Sequence, residues 1–452
     1  MAKYQEKVAD ATITHQQYLL LETLDIFTNT DERLAQLFTE NPQAWLNLAQ
    51  YYANSNANIA YQLGEYFLNR EELNSATLWY QDAIRQQHIG ARIALATLYF
   101  ERQQYSEINA ILLPVVSNEG ALALLYKVAL YQGNLSFIQQ YESALSQSTN
   151  ADFYHELVQF SVFNTHHVKA LTLPTTAKTS SCPLNVQLFA TNLAGLRHAQ
   201  QLMLEFSAQG LAKYICLHTP KYVSLQALNC QHSITEKISC NAIVWTSRKD
   251  IFSRYLGVVV EQGGANVDNG IMYLDQQDNV NVLVHELSHF IGFVDEYPLP
   301  KQHQKCQQNQ LMPFAHNLVV LPEYYQGERA ELREKILSQV PWRSLVKDSV
   351  PILSKVQQGW KLVTPIEYQG EVGVFAAASC NNQSKIQAYK PLAQRTKLQY
   401  FELLFPKTYI DILNIAPSLF LMPSYHFNMS RALVEQGDYG MAREVLKATV
   451  FE

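Results

Sequence analysis

The stretch from His285 to Tyr297 reads HELSHFIGFVDEY. The residues before it, NVNVLV, are apolar at helical spacing, so the sequence predicts a helix that ends near Gly292, a residue that adopts positive φ without strain. Histidines four residues apart share one face of a helix, so His285 and His289 can direct ring nitrogens at one ion, with Glu286 beside them. The pattern predicts two metal ligands and a general base. An ordinary packed helix that carries two histidines is the alternative.

The residues after the helix supply a candidate third ligand. A catalytic zinc ion takes three protein ligands and keeps a fourth position open for water. Gly292 lets the chain turn away from the helix and bring a later residue back to the metal. The spacing HExxHxxGxxD is similar to that of the metzincin zinc peptidases, and we predict Asp295 as the third ligand of Zn²⁺. Glu296 is the competing ligand, and Tyr297 is a candidate hydrogen-bond partner of the ligands.

HELSHFIGFVDEY also resembles the active-site segment of the bacterial IgA peptidase family, secreted metzincin-like zinc endopeptidases whose motif runs from HExxH into Asp-Glu-Tyr. The segment that begins at Tyr368 resembles the family's Gly- and Ala-rich segment, its Tyr-Arg-Pro and its following helix, and the likeness covers roughly residues 182 to 412. The resemblance implies a tyrosine that assists the oxyanion. Tyr389 is the predicted residue, Tyr297 is the alternative, and packing is the other role open to both.

Two features of the family differ here. The family's interval between the second histidine and Asp-Glu-Tyr is usually one residue longer, and the family has a methionine turn beneath the metal. Leu398 or Met312 is the candidate for that turn. The resemblance also implies an antiparallel edge strand that lines the cleft, and NGIMYLDQ, residues 269–276, is predicted to supply it.

These observations predict a zinc endopeptidase that acts on proteins or peptides, in which Glu286 takes a proton from the attacking water as general base. The main alternative is a non-catalytic or weakly catalytic binding or assembly factor that uses the helical repeats described below. The intact Glu286 argues against it. A zinc hydrolase acting on a small amide is a third hypothesis, and it would require a closed pocket.

The predicted fold class is multidomain, an all-α helical-repeat N-terminal domain followed by an α/β metzincin-like peptidase domain. Residues 1–165 show helical spacing, and part of this range matches the tetratricopeptide signature with a repeat about 32 residues later. The matching positions are Leu63, Gly64, Phe67, Ala76, Tyr80 and Ala83. Residues 166–181 are predicted to be a linker, 182–415 the peptidase domain, and 416–452 a helical pair that docks beside the N-terminal repeats. The repeats are a candidate surface for a protein partner.

The composition argues against nucleic acid and membranes as binding partners. A net charge of -6 gives no basic footprint for nucleic acid or an anionic membrane, and no apolar run is long enough to span a bilayer. All six cysteines lie beyond residue 180, which favours up to three disulfides in a periplasmic or secreted protein whose leader has been removed. Free thiols in a cytoplasmic protein are the alternative. His166, His167, His303 and His316 have no ligand spacing and are predicted to be solvated.

Overall fold

The computed structural model describes residues 34, 37–39, 42–147, 151–162, 183–231, 237–248, 250–299, 306, 312–380 and 386–447. The chain divides into two compact units, and the change from one to the other falls near residue 155. The predicted organisation is confirmed at this level, because a helical region is followed by an α/β region. The predicted linker at 166–181 lies outside the described residues.

Helices form the N-terminal region. They are α1 (Pro42–Tyr52), α2 (Ala57–Leu68), α3 (Leu73–Arg85), α4 (Ile89–Glu101), α5 (Tyr105–Leu112), α6 (Glu119–Gln132), α7 (Leu135–Gln140), α8 (Glu142–Gln147) and α9 (Ala151–Gln159). Small residues let neighbouring helices approach closely. A Cβ on Gly64 of α2 would lie 2.4 Å from the ring of Tyr80 on α3, and Ala76 and Ala83 of α3 are fully buried. Gly64 therefore has no room for a side chain.

A five-stranded sheet forms the centre of the C-terminal region. Its strands are β1 (Leu184–Ala190), β2 (Ile215–Tyr222), β3 (Tyr255–Val260), β4 (Asn266–Asp268) and β5 (Ile271–Asp275), in the order β2-β1-β3-β5-β4. Only β4 runs antiparallel to its neighbour within this sheet. Helix α10 (Leu193–Phe206) follows β1, the short α11 (Leu225–Leu228) follows β2, and α12 (Val280–Phe290) follows β5.

The edge strand is not the one that the sequence predicted. Residues 271–275 of NGIMYLDQ form β5, which is an inner strand parallel to β3. The antiparallel edge strand is the shorter β4, in the Gly-rich stretch just before it. The burial pattern explains the order, because Ile271, Met272 and Tyr273 are buried, as an inner strand requires, whereas β4 carries polar residues at both ends.

The remaining strands form two smaller sheets. They are β6 (Val319–Pro322), β7 (Tyr324–Tyr325), β8 (Leu353–Val356), β9 (Gly359–Leu362), β10 (Phe375–Ala376) and β11 (Ile386–Lys390). The first sheet has the order β10-β11-β6, and the second has the order β7-β9-β8. The helices of this part are α13 (Arg329–Leu337) and α14 (Lys407–Ile415).

The last two helices, α15 (Tyr425–Glu435) and α16 (Tyr439–Lys447), belong to the core of the α/β region. Met429 and Leu433 of α15 and Val445 of α16 are buried in one apolar cluster with Val258 of β3. The predicted helical pair is present, and its buried apolar side is covered by the sheet of its own region. Its docking beside the N-terminal repeats stays a prediction.

The described residues contain two disulfides, Cys230–Cys240 and Cys306–Cys380, and no free cysteine. Cys216 is also disulfide-bonded, and Cys182 lies outside the described residues. Among the helices of the described ranges, none is long and apolar enough to cross a membrane.

Candidate metal centre

Helix α12 carries the first part of the site. Its N-terminus is capped by Asn279, whose Oδ1 accepts hydrogen bonds from the backbone N–H groups of Asn281 and Val282. The helix ends before Gly292, which has φ +88°. A Cβ at this position would lie 2.6 Å from the carbonyl oxygen of Phe420, so only glycine allows both the turn and the close approach of that segment. After the turn the chain returns to the helix.

The turn brings Asp295 to both histidines. Asp295 Oδ1 lies 3.2 Å from Nε2 of His285 and 3.4 Å from Nε2 of His289. Two ligands about 2.0–2.1 Å from a tetrahedrally coordinated ion lie about 3.3 Å apart, so both distances fit one ion between the three residues. The ligand atoms of this group all lie within 4.8 Å of one another. The three residues predicted as ligands are therefore brought together in a group that could hold a metal ion.

Hydrogen bonds orient both imidazole rings. Nδ1 of His285 lies 2.8 Å from the carbonyl oxygen of Lys397, and Nδ1 of His289 lies 3.1 Å from that of Phe293. A carbonyl can only accept, so each Nδ1 carries the proton and each neutral ring keeps a lone pair on Nε2. These two lone pairs face Asp295 Oδ1, which is buried and has no hydrogen-bond partner. Three acceptor atoms that meet in this way need a proton or a cation between them.

The pKa shifts agree with this excess of acceptors. Burial opposes protonation of His285, but the nearby carboxylates of Asp295 and Glu286 outweigh it and raise the pKa of the ring. Burial also disfavours the ionised form of Asp295, but the two histidines outweigh it and lower the pKa of that carboxyl to about 2. The ionised carboxylate of Asp295 and positive charge on its two histidine neighbours therefore stabilise each other.

Glu286 lies beside the group without belonging to it. Its Oε2 is 3.9 Å from Nε2 of His289, and its side chain is buried. Burial is the largest influence on this carboxyl and raises its pKa. A carboxylate of raised pKa next to the group has the properties of a general base.

Glu296, the competing ligand, points away from the group. Its side chain is fully buried and accepts hydrogen bonds from Asn317, Lys390, Thr396 and Tyr409. A carboxylate with four donors has no acceptor position left for an ion. Between the two neighbouring carboxylates, only Asp295 has an oxygen available at the group.

The two candidate tyrosines lie in different places. Tyr297 is next to the group, and its hydroxyl donates to Asp295 Oδ2 at 2.8 Å. Tyr389 lies in β11 and does not line the cavity around the histidines. Its hydroxyl is buried without a hydrogen-bond partner, and burial, followed by the charge of Glu323, raises its pKa. The structure therefore does not bring Tyr389 to the site, because β11 turns its side chain toward the core.

The two candidates for the methionine turn, Met312 and Leu398, lie in different environments. Met312 is 77% exposed. Leu398 is fully buried, its carbonyl oxygen accepts from the backbone N–H of Glu296, and the carbonyl before it is the one that contacts His285. Leu398 thus lies in the turn that supports the site.

A cavity of about 470 Å³ opens beside the group. One wall contains Asn266 and Val267 of the edge strand β4, and Lys237 supplies a positive charge to the lining. Another part of the wall is apolar. Its residues are Val294, Leu299, Phe314, Leu318, Phe420, Leu421, Met422 and Pro423.

No pattern in the sequence predicts that the segment 420–423 lies in this wall. Its position depends on contacts with residues more than 100 positions earlier, since Met422 N donates to the carbonyl oxygen of Phe290 at 3.0 Å and Tyr255 donates to that of Met422. The one local signal is Gly292, whose missing Cβ makes room for Phe420.

The prediction that His316 is solvated is wrong. The residue is 1% exposed and packs between the rings of Phe293 and Phe420. Burial lowers its pKa to about 4. His166, His167 and His303 lie outside the described residues.

Comparison with known proteins finds no family model that matches this sequence and no curated protein that matches it.

Proposed function

We propose that the protein is a zinc-dependent endopeptidase in which His285, His289 and Asp295 hold Zn²⁺. The observation that carries the proposal is the meeting of two Nε2 lone pairs at the buried, unpartnered Oδ1 of Asp295. Two imidazoles and one carboxylate on Zn²⁺ leave the fourth position that catalysis requires. The two distances from Asp295 Oδ1 to the histidine Nε2 atoms match the spacing of ligands around a tetrahedral ion. The carbonyls of Lys397 and Phe293 hold the protons on Nδ1 and so leave both Nε2 atoms free to bind Zn²⁺.

Zn²⁺, when bound, supplies a Lewis acid that polarises a carbonyl and acidifies water. Glu286 accepts the proton of the attacking water and delivers it to the nitrogen of the leaving amine. Its buried position next to His289 supports this role, because burial raises the pKa of the carboxyl and makes the carboxylate a stronger base. Tyr297 holds Asp295 in place through its hydroxyl.

A peptide substrate fits the surroundings of the site. The strand β4 is the terminal strand of its sheet and lines the cavity, so an extended peptide can add to it through main-chain hydrogen bonds. The apolar wall around Phe314 and Phe420 suits an apolar side chain next to the scissile bond. The fold of this region, with a mixed sheet that ends in an antiparallel edge strand before the HExxH helix, supports a metzincin-like peptidase.

The other parts of the proposal concern the compartment and the helical region. Disulfides persist in oxidising compartments, so Cys230–Cys240 and Cys306–Cys380 support a periplasmic or secreted location. The close contact of Gly64 with Tyr80 supports tetratricopeptide-like pairs, which offer a surface for a protein partner.

Metal content and turnover, measured together, test the proposal. We expect one zinc per chain, cleavage of a generic unfolded protein, and loss of that cleavage with a chelator. Glu286→Gln keeps the shape of the side chain but removes the base, and it should lower kcat by about 10²–10⁴-fold while zinc stays bound. Glu371→Gln, an exposed carboxylate paired with Lys347, is the matched control and should leave both unchanged.

Each contrary result has a distinct meaning. A wild-type protein that binds no zinc overturns the metal assignment. Zinc without any turnover in the wild type favours the binding or assembly factor.

A further inference from the structure

The carboxylate of Glu296 is the centre of a fully buried polar cluster that the proposed catalytic steps do not use. Its Oε2 accepts from Lys390 Nζ at 2.8 Å and from Thr396 Oγ1 at 2.9 Å. Its Oε1 accepts from Asn317 Nδ2 at 2.9 Å and from the hydroxyl of Tyr409. The four donors come from separate parts of the chain, the loop before β6, the end of β11, the turn after it and α14. One carboxylate therefore joins four segments.

The cluster reaches His285 through the turn at residues 396–398. The backbone N–H of Glu296 donates to the carbonyl oxygen of Leu398 at 2.9 Å, and Thr396 Oγ1 accepts from the N–H of Leu398 at 3.2 Å. The two bonds fix the peptide units on either side of Leu398, and the first of these units contains the carbonyl of Lys397, whose oxygen accepts from Nδ1 of His285. The orientation of that imidazole thus depends on a turn that Glu296 holds.

The cluster reaches Asp295 through Asn317. Asn317 Oδ1 accepts from the N–H of Val294 at 3.0 Å, and its Nδ2 donates both to the carbonyl oxygen of Val294 at 2.8 Å and to Glu296. The residues on both sides of Asp295 are thereby fixed to the same side chain. The backbone carbonyl of Asp295 itself accepts from Ser379 Oγ at 3.1 Å. The backbone that presents Asp295 has little freedom to rotate.

The cluster requires a charged carboxylate rather than an amide. Lys390 is 3% exposed and forms an ion pair with Glu296 at 2.8 Å, so loss of the carboxylate leaves a buried ammonium without its counter-charge. An amide at position 296 would also direct an NH₂ group at two of the donors, since each oxygen of the carboxylate accepts from two of them. Glutamine therefore fits the space but breaks the hydrogen-bond pattern.

We propose that Glu296 is a positioning residue, whose buried carboxylate orients both the His285 imidazole and the Asp295 carboxylate for metal binding. This inference rests on the proposed function, because it concerns the same ion. It assigns the two carboxylates of Asp-Glu-Tyr separate tasks. Asp295 contacts the ion, and Glu296 fixes the backbone and the ring that surround it.

Zinc affinity measured by competition with a chelator, on protein shown to be folded by circular dichroism, tests the proposal. Glu296→Gln should weaken zinc binding by about 10–100-fold, the range typical of groups that orient metal ligands. Thr396→Val is a milder change that removes one hydroxyl and keeps the shape of the side chain. It should weaken zinc binding in the same direction by about ten-fold at most.

Gln187→Met is the matched control for loss of a buried polar group. Gln187 is fully buried in β1, where it bonds the backbone of Asp250 and Phe252, and it lies outside the metal cavity. This variant should lower Tm and leave the zinc affinity unchanged. If Glu296→Gln and Thr396→Val also lower only Tm, the cluster is structural and the inference is overturned. If the wild-type protein itself binds no zinc, the proposed function fails instead, so the two failures are distinguishable.

Discussion

Asp295, in the cavity, and Glu296, in the buried cluster, are neighbours in the sequence, but their carboxylates have opposite surroundings. Asp295 Oδ1 has no hydrogen-bond donor and faces two imidazole nitrogens, whereas both oxygens of Glu296 are filled by donors from the surrounding fold. A buried carboxylate that the fold has already satisfied is part of the core. One that the fold leaves open among other acceptors is available to a cation.

The largest effect that this comparison predicts is that of Asp295→Asn. The amide keeps the size of the side chain but loses the charge, and its NH₂ group cannot bind a metal, so the protein should no longer retain zinc on gel filtration and should lose hydrolysis. Zinc content measured by atomic absorption checks this. If Asp295→Asn retains zinc while Glu296→Gln loses it completely, the roles of the two carboxylates are reversed and the comparison fails.

His316 sharpens the comparison, because its Nε2 is also buried without a partner but faces aromatic rings rather than other acceptors. Burial lowers its pKa to about 4, below the usual 6.5, so the folded state binds the proton less well than the unfolded state. Its contribution to stability is complete above pH 6.5 and is lost as the pH falls toward 4. A difference of this size corresponds to about 3 kcal/mol in the free energy of unfolding.

Urea unfolding between pH 7 and pH 4.5 measures that contribution. The variant His316→Phe, which suits the aromatic surroundings, should show a shallower loss of stability than the wild type over this range. Identical slopes for the two proteins would mean that His316 does not titrate in this way.

A further pair of variants distinguishes the two tyrosines. Tyr297→Phe removes the hydroxyl that donates to Asp295 Oδ2, and a hydrogen bond to a charged group contributes about 1.5–3 kcal/mol, so zinc affinity should fall by about ten-fold or more. Tyr389→Phe removes a buried hydroxyl without a partner, and zinc affinity and turnover should both stay unchanged. A loss of turnover in Tyr389→Phe would restore it as a candidate for the oxyanion role.

Local spacing was enough to predict the parts of the site that lie within one turn of α12. The positions of His285, Glu286 and His289 follow from the helical repeat, and the turn at Gly292 follows from the freedom of glycine at positive φ. The helical N-terminal region and the α/β region after it were also predictable, because apolar periodicity is a property of short windows.

Long-range contacts decided what the sequence could not. The direction of the Glu296 side chain depends on Lys390 and Tyr409, which lie 94 and 113 residues later. The order of β4 and β5 depends on which of the two strands pairs with β3. The buried face of α15 and α16 is covered by strands whose residues lie more than 150 positions earlier in the sequence. No spacing rule within a single segment contains this information.

The disulfide Cys306–Cys380 links the redox state of the protein to the backbone that presents Asp295. Cys380 adjoins Ser379, which donates to the carbonyl oxygen of Asp295 and accepts from the N–H of Leu299. Reduction releases a closed loop of 74 residues at this point, and the backbone that presents the carboxylate loses an anchor. Recombinant protein from a reducing cytosol should therefore bind zinc less uniformly than protein exported through an oxidising compartment, and a comparison of zinc content between the two hosts measures this difference.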